Sequence, residues 1–179
     1  HLDFRRQRQM CIRDRNSIQQ LLTGSTAPTA DTNARRALEE EALQILQSDP
    51  SHPTQVWLLR MLELTGSEVS VPVIESYLNS TDPELRDCAR RALVANPASE
   101  ATTALYKAML RSSDAEKRAY IDGFVFRRDG RAAKAIVPLL KSKDAGTVVK
   151  AANALVVLNE SSVYSKLKQA HSNAPEGSR

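Results

Sequence analysis

Aromatic side chains make up only 4% of this 179-residue sequence, with a single Trp, which argues against a β-rich core. Two cysteines, Cys11 and Cys88, are too few for a disulfide framework and leave the redox compartment unread. Histidine is nearly absent: beyond His1 there are only His52 and His171. A zinc or iron site needs three or four convergent ligands, which two distant His and one Cys on an apolar stripe do not provide. His52 sits in a Pro-flanked turn and reads as a solvated cap-region residue, and His171 opens a polar tail. No Ser or Cys has a placed His base, and the six glycines form no phosphate-cradling loop. Cys-x-x-Cys-His, the heme-attachment motif, is missing as well. The acidic run Glu39-Glu40-Glu41 lies beside Ala37, Leu38, Leu43, Ile45 and Leu46 and reads as a solvated helix face. No run approaches eighteen apolar residues, so no segment of the sequence reads as a membrane span. The expectation is a chain without catalytic residues, metal or cofactor.

What is present begins with an anomaly. Residues 5–15, Arg-Arg-Gln-Arg-Gln-Met-Cys-Ile-Arg-Asp-Arg, resemble the translation of a transposase-type sequencing-library adaptor, and His1 and Phe4 fit its upstream design. On that reading residues 1–15 are foreign and the natural frame starts near Asn16, with an upstream leader or neighbouring domain cut away. The charge changes accordingly. The whole chain carries +4, but residues 1–15 hold five Arg against Asp3 and Asp14, a net of +3, leaving +1 for the rest. Residues 16–32 read as a short helix and loop.

The remainder has helical grammar with a repeat. In Val71–Leu93, apolar Val71, Ile74, Tyr77 and Leu78 form one helical stripe. Asp82-Pro83-Glu84 then starts a second helix as N-cap, first-turn proline and first-turn acid, and Asn96-Pro97 stops it. Leu85, Cys88, Ala89, Ala92 and Leu93 are its apolar stripe. Taking Asp82, Asp114 and Asp144 as successive caps gives spacings of 32 and 30 residues, with Ser51 a further cap 31 residues upstream. The matching stripes are Leu58, Met61 and Leu62; Ala89, Ala92 and Leu93; Ile121, Phe124 and Val125; and Ala151, Ala154 and Leu155. The period predicts helix pairs 33–48 with 52–65, 68–80 with 82–95, 99–112 with 114–128, and 131–142 with 144–158, then a closing helix at 161–170. Gly66 and Gly130 are expected to take left-handed conformations at helix ends, and Pro138 to kink its helix or delay its start.

The residues Val71-Pro72-Val73-Ile74, followed by Asp82-Pro83-Glu84-Leu85-Arg86 and Ala89, Ala92, Leu93, resemble a HEAT repeat. Ile136 to Leu155 is a weaker copy, with Val148 where such repeats favour Arg, and the first and third copies keep only the spacing. The resemblance covers about residues 33–158 and implies an all-α fold: an α-α superhelix, or armadillo-like solenoid, of about four helical hairpins. The domain is taken as 33–170, with 171–179 a disordered tail. The resemblance also implies a non-catalytic protein–protein interaction scaffold, part of a larger bacterial protein. Short repeats of this type resemble those of extracytoplasmic proteins, which implies a periplasmic or secreted setting. The alternatives it leaves are a HEAT domain accessory to an enzyme, bilin-lyase-like or glycosylase-like with nucleic acid as partner, or a structural spacer. The metal-dependent HEAT enzymes known as deoxyhypusine hydroxylases carry His-Glu steps, and this sequence has none.

Charge is uneven along the repeat. Residues 16–106 hold six basic and twelve acidic residues, and residues 107–150 hold eleven basic and five acidic. Lys117, Arg118, Arg127, Arg128, Arg131 and Lys134, with Tyr120 and Phe126 among them, form the one candidate site: a patch for an anionic ligand or an acidic protein segment. A solvated face is the plainer reading of the same residues. Near-zero total charge disfavours nucleic acid as a partner.

Overall fold

The computed structural model describes residues 32–158 and 164–173; the adaptor-like segment, most of 16–32 and residues 174–179 lie outside them. Among the described residues every regular element is a helix. They pair as α1 (Thr32–Gln47) with α2 (His52–Thr65), α3 (Val71–Tyr77) with α4 (Pro83–Ala95), and α5 (Ser99–Arg111) with α6 (Asp114–Arg127). A broken first helix, α7 (Ala133–Ile136) running into a 3-10 turn at Val137–Lys141, pairs with α8 (Ala145–Val157). The last helix, α9 (Tyr164–Asn173), packs against that 3-10 turn and runs past residue 170 through His171. The second helices α2, α4, α6 and α8 pack side by side in order.

The repeat is more regular than the sequence reading made it. The residue before α6 is Ser113, which forms a capping box with Glu116: each side chain bonds the other's backbone N–H. Asp114 is therefore the first helical residue and not the cap. With Ser113 in place, the caps Ser51, Asp82, Ser113 and Asp144 stand 31 residues apart throughout. Asp82 accepts from the backbone N–H of Glu84 and Leu85 at 2.8 and 3.1 Å, and Asp144 from Thr147 at 2.9 Å. Ser51 makes no such bond and shares a hydroxyl contact with Thr54 instead. The corrected register aligns Leu58, Ala89, Tyr120 and Ala151; Met61, Ala92, Gly123 and Ala154; and Leu62, Leu93, Phe124 and Leu155. All twelve are buried. Val125, placed in the core stripe from sequence, is only partly buried.

The two left-handed glycines are not found. Gly66 has φ −62°, and no described glycine has a positive φ. The left-handed residues are Asp49 (φ 52°) and Arg128 (φ 51°). Gly66 is needed for space, since a Cβ there would lie 2.6 Å from the carbonyl oxygen of Leu62. Gly123 is needed for the same reason: its Cβ would meet Val94 Cγ2 at 2.5 Å, because α4 and α6 approach closely there. Pro138, lacking an N–H, ends the α-helical turn of α7 at Ile136 and leaves the tighter 3-10 turn.

The acidic run in α1 also departs from expectation. Glu40 and Glu41 are exposed, but Glu39 is 3% exposed and accepts from the Ser67 backbone N–H at 2.6 Å and its hydroxyl at 3.0 Å. Ala37 is exposed and Ala42 takes the core position instead. Serine 67 is the first member of a polar chain along the junctions between pairs. Its carbonyl accepts from Asn96 Nδ2 at 2.7 Å and from the Ser70 hydroxyl at 2.9 Å, while Asn96 Oδ1 accepts from the Ala98 N–H at 2.9 Å. Asn96 is 1% exposed and stops α4 from inside the fold.

Two stability outcomes follow from this packing. Leu93→Ala and Leu155→Ala remove fully buried side chains and are each expected to cost about 2–5 kcal/mol in denaturant melts. Gly123→Ala is expected to cost about 1–3 kcal/mol through overpacking against Val94, and Val94→Ala in the same chain should recover much of that loss.

Candidate functional site

The six candidate cations do not form one patch. Lys117 and Arg118 sit in the first turns of α6, whereas Arg127 and Arg128 end it. Ten residues of helix between Lys117 and Arg127 span about 15 Å. Most of the charges are engaged locally. Lys117 Nζ lies 2.9 Å from Asp114, and Arg118 Nε lies 3.9 Å from Asp144, the cap of α8. Arg131 holds Asp129 through Nε at 2.9 Å and Nη2 at 2.6 Å. Arg128 and Lys134 are exposed and have no acidic partner among the described residues.

Arg127 has a different task from the one its sequence position suggests. Its guanidinium donates to the carbonyls of Leu93 (2.9 Å), Val94 (3.1 Å), Asn96 and Ala98 (2.8 Å), and its Nε to the Thr102 hydroxyl at 3.0 Å. Those acceptors include the orphan carbonyls at the end of α4, which a helix leaves without internal donors. Arg127 is thus the C-terminal clamp of the preceding pair, and burial lowers its pKa from the ordinary arginine value. Thr102 passes the chain on, donating to Asp129 at 2.8 Å. Asp129 titrates well below an ordinary carboxylate, first because Arg131 donates to it and then because Thr102 does.

Of three clefts among the described residues, two border α6. One of about 450 Å³ lies between the turn after α3 and the α5–α6 turn, with Arg86, Arg90, Arg111, Glu116 and Tyr120 on its wall. Arg86 spends one nitrogen on the Ser80 and Thr81 carbonyls at 2.9 and 3.0 Å, and Arg90 binds Asp87 and the Ala119 carbonyl. Only Arg111 of the three lacks a partner among the described residues. The other cleft, about 640 Å³, runs between α6 and α8 over a mainly apolar floor that includes Ile121, Val125, Val149 and Val157. Arg118, Asp122 and Lys150 stand at its rim, with Lys150 paired to Asp122.

Some of the exposed apolar residues follow the repeat. Leu64, Ala95, Phe126 and Val157 occupy the same position of successive second helices, 31 residues apart, and all four face solvent. Leu64 is 51%, Phe126 74% and Val157 60% exposed. With neighbouring helices about 8–10 Å apart, this row crosses the whole stack. Sequence reading passed over it because the 32- and 30-residue spacings put Phe126 out of line with Leu64. The shared capping grammar of Ser113 and Glu116 was the signal available. No group of three or more His, Cys, Asp or Glu side chains among the described residues is placed to hold a metal ion. His52 instead pairs with Asp82, Nε2 to Oδ2 at 3.1 Å. Cys88 is buried as a small core residue. No described helix is long and apolar enough to cross a membrane.

Antiparallel helix pairs stacked at a fixed period, with their second helices in one row, define an α-solenoid of the repeat type. Residues 39–123 match the family model of HEAT repeats, which identifies that stretch as HEAT repeats. No curated protein matches it.

The Arg127 clamp and the carboxylates separate in experiment. Arg127→Lys is expected to destabilise nearly as much as Arg127→Ala, by about 2–4 kcal/mol, because one ammonium cannot reach four carbonyls and a hydroxyl. Asp82, Asp114, Glu116, Asp129 and Asp144 are all lowered in the folded state, mainly by hydrogen bonds they accept. Their stabilisation is therefore full above the unfolded carboxylate pKa, about 4, and is lost as pH falls below it. Urea midpoints should be flat from about pH 7 to 5 and drop steeply below about pH 4, with a shallower drop in Asp129→Asn.

Proposed function

We propose that this chain is a non-catalytic protein-interaction scaffold whose contact surface is the second-helix face. The observation that carries the reading is the row Leu64, Ala95, Phe126 and Val157, apolar and solvent-facing at every repeat. Scattered exposed apolar residues need no explanation, but a row of them in register across a stack is a candidate binding surface. HEAT repeats generally mediate protein–protein contacts, which agrees with it.

The basic patch is a weaker basis for function. Four of its six members are engaged with acids or carbonyls of the fold itself, so Arg128 and Lys134 are what remains for an outside anion. A nucleic-acid surface would need several free cations in line with stacking aromatics.

Site-specific photocrosslinking tests the scaffold reading. A photoreactive residue at Phe126 should give discrete protein adducts in the source cell, while one at Tyr106, exposed on a first helix, should not. Adducts at Tyr106 alone, or none at either position across the growth conditions, would retire the proposal. Phe126→Asp should abolish the adducts of a probe at Val157 without lowering the melting temperature, because Phe126 is already three-quarters exposed.

A further inference from the structure

The second helices are joined in a directional way. At each junction a base on one helix meets an acid at the start of the next: His52 with Asp82 (3.1 Å), Arg60 with Glu84 (3.3 Å), Arg86 with Glu116 (3.8 Å) and Arg118 with Asp144 (3.9 Å). Further along the helices the polarity reverses, with Glu63 to Arg91 and Asp122 to Lys150. The face each helix turns to its successor is set by the 31-residue register. On α4 it is Arg86, Arg90 and Val94: Arg86 reaches Glu116, Arg90 reaches the Ala119 carbonyl, and Val94 lies against Gly123. On α6 the equivalents are Lys117, Ile121 and Val125, of which Ile121 and Val125 face the α8 cleft.

On α8 the equivalent residues are Val148, Ala152 and Val156, an apolar ridge one turn apart. No described second helix follows α8. The described chain continues on the other row, where α9 packs on the 3-10 turn of Val137–Lys141, and Val156 is left 67% exposed. The turn leading into α8 holds Lys141 and Lys143, both exposed and without an acidic partner among the described residues. The last described second helix thus offers an apolar ridge with cations at its N-terminal end that have no acidic partner among the described residues, the same end at which each internal junction places an acid.

We infer that the Val148–Ala152–Val156 face of α8 is a docking site for a partner protein's amphipathic helix with an acidic first turn, seated as the next second helix. The inference rests on the scaffold reading and names one of its contacts. A second copy of this chain fits less well among the described residues, because neither α1 nor α2, the first two described helices, carries an acid in its first turn. A helix with Asp or Glu in that turn would meet Lys143 and Lys141 while its apolar side covers Val156.

The peptide corresponding to Ser113–Arg128 is a suitable probe. Its first turn contains Asp114 and Glu116, and its Gly123 already accommodates Val94, whose equivalent on α8 is Val156. Fluorescence anisotropy with the full chain is expected to show binding that weakens at least about tenfold in the peptide Asp114→Asn/Glu116→Gln, which has no acid in its first turn, at low salt. Val156→Asp and Lys143→Glu in the full chain should each weaken binding by about tenfold, with circular-dichroism melts unchanged. No binding, equal binding of both peptides, or indifference to Val156→Asp would overturn the inference. Self-association in sedimentation that Val156→Asp abolishes would also overturn it, by giving the face to a second copy. Loss of the peptide result with adducts retained at Phe126 would remove this contact and leave the scaffold reading in place.

Discussion

A helix that ends inside a stack leaves carbonyl oxygens with no partner, and at the end of α4 it is Arg127 of the next pair that satisfies them. The solution is a chain of polar contacts along the junctions. Glu39 of α1 holds Ser67, Asn96 reaches back to the Ser67 carbonyl, and Arg127 gathers the Leu93, Val94, Asn96 and Ala98 carbonyls before Thr102 and Asp129 extend the line. Asn96 and Arg127 each fasten the end of one pair to the end of the pair before, whereas Glu39 and Thr102 each hold the turn that follows their own pair. Apolar burial drives the stacking but does not by itself fix a register. The polar line adds that, because a slipped pair would leave buried acceptors unmatched.

The ion pairs between second helices contribute something else. Arg60–Glu84, Arg86–Glu116 and Arg118–Asp144 are all partly exposed, as is the His52–Asp82 contact, and such pairs add little stability individually. Their value is directional, since acids at helix starts and bases on the preceding helix make one stacking order electrostatically better than its reverse. This also disposes of much of the charge asymmetry between the two halves of the chain. Arg127 and Arg118 belong to that internal wiring, which leaves Arg111, Arg128, Lys134, Lys141 and Lys143 as cations facing outward.

The helix pairs could be read from sequence because apolar period and cap residues are local signals. The boundaries at His52, Pro83, Ser99 and Ala145 followed from Pro, Asp and Ser near helix starts. Three things escaped. Ser113 was hidden behind Asp114, an equally good cap by type, and only the return bond from Glu116 decides between them. Glu39 and Arg127 were assigned to solvent because charged residues are usually there, whereas their partners, Ser67 and the α4 carbonyls, lie about 30 residues away. The left-handed conformations went to Asp49 and Arg128, while Gly66 answered a crowding constraint that no local pattern announces. The exposed row of Leu64, Phe126 and Val157 was lost with the cap, since one residue of misregister turns a helix position by about 100°.

The polar chain has a consequence for how such an array can change. A constant 31-residue period suggests pairs that could be exchanged like beads. The side chains that fasten them differ, however: an amide on the Ser67 carbonyl between the first and second pairs, and a guanidinium on four carbonyls between the second and third. Moving one pair to another's place would bring a short Asn to carbonyls that only a long Arg can reach. The backbone repeats, but the order of the pairs is individually keyed, and this array can be lengthened at its ends more readily than shuffled within.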